Sequence, residues 1–220
     1  MDKRNLTPLA GALFVVFVIV TFGAVWGDTP PGDASGSEVI SYYQDNGTTG
    51  MVAAVMLALS AVPLLVFASA VRERLQATLR EGSVLPGVAF GAGIVGAAGF
   101  TAAASAHFAV ADYADELQPA AAQAVNTIDA DLFLAFSTGI VTLVLALSVA
   151  ALRSAVLPRW AGWAGIVLFV LSFSPAGAVG VPLCLLWILM ASILLYRNGP
   201  GSAKPVVQVN HAAAEAALVQ

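Results

Sequence analysis

The sequence predicts an all-α, six-span membrane bundle with both termini cytoplasmic, and three observations predict it. First, 59% of the 220 residues are hydrophobic and 10% are charged, with a mean hydropathy of +0.87. A soluble domain carries about 25% charged residues, so these charges cannot coat a water-exposed surface. Second, charged residues are missing from 5–27, 46–71, 82–111, 132–152 and 160–196. A helix needs about 20 apolar residues to cross the hydrocarbon core. Third, threading six spans through those gaps places all nine Lys and Arg residues on one side. The single cysteine, Cys184, excludes a disulfide scaffold, and the hydrophobicity excludes disorder.

The first span is expected at about 8–26. Its basic start, Asp2-Lys3-Arg4, fits a signal peptide, but the apolar stretch is too long and no A-x-A site follows, so it is expected to stay in place. Ser35-Gly36-Ser37-Glu38 then forms a capping box, and Asn46-Gly47 reads as a stop. Between them Val39, Ile40 and Tyr43 share one face, which predicts a short amphipathic helix lying on the outer interface. The second span, about 50–71, is expected to continue for a turn or two beyond Arg72, with Gly82 as its stop. The third, about 86–108, contains Gly87, Gly91, Gly93, Gly96 and Gly99. Small residues let neighbouring backbones approach closely. They occur all round this helix, which favours the centre of the bundle over a dimer seam.

Pro119 opens another short helix, to Ile128, and the fourth span follows at about 132–152. The stretch 160–196 is too long for one span, and Ser174-Pro175-Ala176-Gly177 breaks it into about 158–174 and 179–196. These spans make one transmembrane domain, 1–197. Residues 198–220 form a cytoplasmic tail, with Asn210 capping a weak final helix. Outward spans open at Pro8, Pro86 and Pro158, and returning spans end at Arg72, Arg153 and Arg197. A threefold repeat of hairpins would produce that pattern; so would the ordinary preference of an inner boundary for these residues.

The positive-inside rule puts the basic side in the cytoplasm. Nine acidic residues, Asp28, Asp33, Glu38, Asp45, Asp112, Asp115, Glu116, Asp129 and Asp131, then face outward. The net charge of −4 thus hides two opposed faces. The acidic one repels nucleic acid, and the basic one suits anionic headgroups.

No Asp, Glu, Lys, Arg, His, Asn or Gln lies deep in an expected span. Ion-coupled transporters and pumps need ionisable groups near the midplane. The buried polar groups are hydroxyls, which usually bond back to the preceding turn. One constellation carries chemistry: His107 near the outer end of the third span, with Asp112, Asp115 and Glu116 after it and Asp129 and Asp131 returning to the same side. His107, Asp112 and Asp115 are the candidate metal ligands. The spacing opposes them, because His107 and Asp112 sit about 140° apart on a helix. The competing expectation is a solvated acidic rim with His107 hydrogen-bonded at the interface. Trp26, Trp160 and Trp163 occupy interfacial belt positions. Trp187 lies nearer mid-depth beside Cys184, and its N–H needs a partner or a cavity.

Asn5-Leu6-Thr7-Pro8-Leu9-Ala10-Gly11, Ser37-Glu38-Val39-Ile40-Ser41-Tyr42-Tyr43, Ala106-His107-Phe108-Ala109, Leu157-Pro158-Arg159-Trp160-Ala161-Gly162-Trp163 and Trp187-Ile188-Leu189 together give the chain its character. In these it resembles a group of six-span actinobacterial membrane proteins of unknown function, over nearly its whole length. The resemblance implies the topology and brings no activity, ligand or catalytic residue. The expected protein is a multi-pass cell-membrane (inner-membrane) component without a cofactor. It would be a non-enzymatic binding or accessory protein for a lipid, an apolar small molecule, a partner membrane protein or a second copy of itself. A metal-assisted enzyme acting on lipid headgroups at the outer face and an uncoupled transporter are the alternatives.

Overall fold

A computed structural model describes residues 6–24, 29–175 and 177–198. After a 3-10 turn at Thr7–Leu9 come α1 (Ala10–Ala24), α2 (Gly36–Thr78), α3 (Leu85–Asp112), α4 (Pro119–Asp131), α5 (Phe133–Arg153), α6 (Arg159–Ser172) and α7 (Gly177–Arg197). Among the described residues the regular structure is entirely helical. Among the described residues four helical stretches are long and apolar enough to cross a membrane: Gly36–Thr78, Leu85–Asp112, Pro119–Arg153 (α4 with α5) and Val179–Arg197. Thr7–Gly23 and Arg159–Ser172 are apolar but shorter. Lys3, Arg4, Trp26, Asp28, Lys204 and the helix expected after Asn210 lie outside the described residues.

The helices form a closed ring. α1 lies between α2 and α7, α3 between α2 and α5, and α6 between α5 and α7. α4 packs across α2 and α3 at one end. That end carries Asp112, Asp115, Asp129 and Asp131 and is the acidic end. At the opposite, basic end Arg74 on α2 donates from Nη1 to the Asn198 carbonyl (2.9 Å) and from Nη2 to the Leu195 carbonyl (3.4 Å). The arginine so closes two of the carbonyls that a helix terminus leaves without partners.

The N-cap half of the capping box forms: Glu38 N donates to Ser35 Oγ at 3.3 Å. The separate interfacial helix does not. α2 runs unbroken for 43 residues through Asn46 and Gly47. The glycines serve contact rather than termination. A Cβ on Gly47 would lie 3.0 Å from the Ala111 carbonyl oxygen, and one on Gly50 would lie 2.9 Å from Ala111 Cβ. They let α2 lie directly against the end of α3. The stop comes at Thr78, and Gly82 supplies the positive φ (+82°) of the turn into α3.

The seam of α3 with α5 is made backbone to backbone. A Cβ on Gly99 would come within 2.5 Å of Phe136 N, and one on Gly139 would overlap the Gly96 backbone. A Cβ added at Gly87 or Gly91, which form a G-x-x-x-G pair, would meet no neighbouring helix within 4 Å. Close approach of this kind raises dispersion contact, which is what holds helices together where the surroundings are as apolar as the interface. Phe67, Leu64, Phe100, Ile140, Leu147 and Ile188 fill the centre, while Val52, Val62, Val167 and Val170 are exposed. Helices apolar on both faces suit a bilayer.

Hydroxyls bond back as expected, for example Ser69 to the Leu65 carbonyl (2.9 Å) and Thr101 to the Ala97 carbonyl (2.8 Å). Ser192 is different: on α7, its Oγ donates to the Pro8 carbonyl and accepts from Ala12 N, which pins α7 to the start of α1. Trp187 finds its partner in the Ala161 carbonyl on α6, 3.0 Å away.

Candidate functional site

At the acidic end the first turns of α2, the end of α3 and α4 build a cap. Its core is small: Val39, Tyr43, Val110, Ala111, Ala114 and Ala122. The segment before α2 is strapped onto α4, because Asn126 Nδ2 donates to the Pro31 carbonyl and Thr127 Oγ1 to the Gly32 carbonyl, both at 2.8 Å.

Inside the cap sits His107, wholly buried. Its Nδ1 lies 2.8 Å from Asp129 Oδ2 and 3.4 Å from the Tyr43 hydroxyl. The shorter contact assigns the Nδ1 proton to the carboxylate, leaving the Tyr43 oxygen to face that N–H. The rings of Tyr43 and His107 meet edge to face, 5.6 Å between centroids. Asp129 is itself only 9% exposed, and its Oδ1 has no hydrogen-bond partner among the described residues. Burial, then the charge of Asp129, then Tyr42, push the Tyr43 phenol above its ordinary value.

The acidic rim is therefore not uniformly solvated. Asp129 leaves it for the interior. Asp112, Asp115 and Glu116 remain exposed. α3 ends at Asp112, so Asp115 and Glu116, which would share a face with Asp112 at helical spacing, lie beyond the helix. Asp115 Oδ1 instead accepts from Gln44 Nε2 at 3.1 Å. Neither Asp112 nor Asp115 joins the buried group at His107. Among the described residues no three of His, Cys, Asp and Glu come together as a metal set.

The sequence places Asp129 in the same constellation as His107 but points to Asp112 and Asp115 as the candidate ligands; the structure gives His107 to Asp129. The signal was present on α4. Ala122, Asn126 and Asp129 form its buried face, while Ile128 is 55% exposed. A helix that hides its polar residues and shows its isoleucine has something polar to meet.

Towards the membrane from the cap, a cavity of about 400 Å³ opens between α1, α5 and α7, floored by α3. Val18, Phe22, Phe100, Phe136, Ile140 and Val181 line it, with Ile19, Phe133 and Leu185 at its rim. Phe100 and Phe136 stack at 4.5 Å, and Phe14, Phe22 and Phe133 abut them edge-on or tilted. Among the described residues no ionisable or hydrogen-bonding side chain lines this space.

Compared with protein-family models, curated proteins and solved structures, the chain matches none of them. Its own helices define the class: an all-α bundle with apolar helices of membrane-crossing length.

Proposed function

We propose that the protein is a six-span cell-membrane component, both termini cytoplasmic, that holds a lipid tail or another apolar molecule in the cavity between α1, α5 and α7. The observation that carries this reading is the cavity's chemistry. Its volume falls in the range of small-molecule sites, about 300–1,000 Å³. Among the described residues its walls are apolar, which favours hydrocarbon as the occupant. The exposed Ile19 and Phe133 at its rim open it sideways, in the direction from which a lipid tail arrives. The four aromatic rings that line it, Phe22, Phe100, Phe133 and Phe136, meet in stacked, tilted and edge contacts and give the walls a fixed shape, which favours binding over passage.

The test fills the cavity. Val181→Phe adds a ring to a buried wall without introducing a polar atom. Native mass spectrometry of the purified protein should show a retained hydrophobic molecule in the parent chain and its loss in Val181→Phe. Unchanged retention in that variant, or none in the parent chain after reconstitution in lipid, overturns the reading.

A further inference from the structure

The basic end holds a second cavity, of about 560 Å³, in the turn between α5 and α6. Arg153, Ser154, Pro158, Arg159 and Asn198 line it. Arg153 lies in the last turn of α5, and Arg159 opens α6. Both are exposed, and neither guanidinium has a hydrogen bond or ion pair among the described residues. Arg74, by contrast, is committed to the carbonyls at the end of α7. Two planar guanidiniums at one shallow, open site, with no carboxylate bonded to them among the described residues, match the oxygens of a phosphate.

The surface beside the cavity says what else the ligand carries. Trp160, Trp163, Val167 and Val170 are 59–63% exposed and follow helical spacing down α6. An apolar stripe thus begins where Arg159 stands and runs towards the bundle's mid-depth. α6 is also short. Its 14 residues make ~21 Å of helix, against about 30 Å of hydrocarbon. A span too short for the bilayer draws the headgroup region towards its end, and arginines there reach up to meet it.

We propose that this cavity binds an anionic phospholipid, with Arg153 and Arg159 on the headgroup phosphate and an acyl chain along the Trp160–Trp163–Val167 stripe. A free phosphate anion would use the same arginines but leave the stripe bare. The site stands at the opposite end from the apolar cavity, and either one can fail without the other.

The experiment offers the full chain in detergent an equimolar mixture of phosphatidylglycerol and phosphatidylcholine, and native mass spectrometry reads what is retained. Phosphatidylglycerol should be preferred. Arg153→Gln and Arg159→Gln should each reduce the preference about fivefold, while Arg80→Gln, an exposed charge in the loop after α2, should leave it unchanged. Ala155→Glu keeps both arginines but sets a competing carboxylate on the cavity wall, and should abolish the preference in a protein with parental thermal stability. Equal retention of the two lipids overturns the proposal. So does an equal loss in Arg80→Gln, which would mark a diffuse basic surface. Displacement of the lipid by equimolar inorganic phosphate would make this a site for free anions and overturn it as well.

Discussion

Asp129 Oδ2 lies 2.8 Å from His107 Nδ1, and the contact joins α4 to α3 across the interior of the cap. Leu132 alone separates α4 from α5. The pair therefore also sets where α5 enters the bundle, one turn before Phe133 and Phe136 reach the apolar cavity.

Breaking the pair should be costly. Removing one partner of a buried, hydrogen-bonded pair leaves the other without compensation, a loss of about 3–5 kcal/mol. His107→Ala or Asp129→Ala should lower the unfolding free energy in detergent by that order. His107→Leu with Asp129→Leu should lose less than either alone. Asp112→Asn and Asp115→Asn, at exposed positions, should stay within about 0.5 kcal/mol of the parent chain. Equal effects at Asp112 and Asp129 would contradict the burial of the pair.

Tyr43 gives the cap a dependence on alkaline pH. Its folded pKa is raised above the ordinary value, so the folded state keeps a proton that the unfolded state releases. The stabilisation is complete below the unfolded value of about 10 and falls as pH rises above it, by up to about 1.4 kcal/mol per pH unit. Melting curves between pH 8 and 11.5 should show that decline in the parent chain. Tyr43→Phe should lack this component, and matching slopes in the two proteins would refute the assignment.

The glycines of α3 should divide by contact. Gly99→Ala drives a methyl group into the Phe136 backbone and should destabilise by about 1–3 kcal/mol. Gly91→Ala meets open space and should be neutral, or stabilising by about 0.5–1 kcal/mol through helix propensity. Denaturation of the two variants side by side decides it. A larger penalty at Gly91 would point to a partner seated on that face.

Topology is open to labelling. Single cysteines at Ser37, Gln118 and Gln76, all exposed positions, are introduced into a Cys184→Ala chain. An impermeant thiol reagent applied to intact cells should modify the first two and spare the third. Modification at Gln76 alone would invert the orientation inferred from the basic residues.

The helices were legible because their limits are local: charge at the ends of apolar stretches, proline at the starts, Ser174-Pro175 between α6 and α7. The unbroken course of α2 was not. Asn46-Gly47 has the chemistry of a helix stop, and only the presence of Ala111 across the interface gives Gly47 and Gly50 another use. The His107–Asp129 pair was hidden for a similar reason. Its members are 22 residues apart on different helices, and His107 has closer acidic neighbours in the chain that turn out to face water. In the sequence Arg153 marks the end of a span and Arg159 counts only as one of the nine basic residues on one side; the cavity between them arises from the path of the turn.

Forty-three residues of unbroken helix measure ~65 Å, about twice the thickness of a hydrocarbon core. α2 is thus a shaft with a fitting at each end: Tyr43 in the cap, and Arg74 clamped to the end of α7. A shaft transmits tilt and rotation without loss unless it contains a joint. The one proline inside it, Pro63, removes a single backbone hydrogen bond between the two fittings and marks where it would bend. The cap and the last turn of α7 are thus tied to the two ends of one helix, with Pro63 as the point at which that tie can bend.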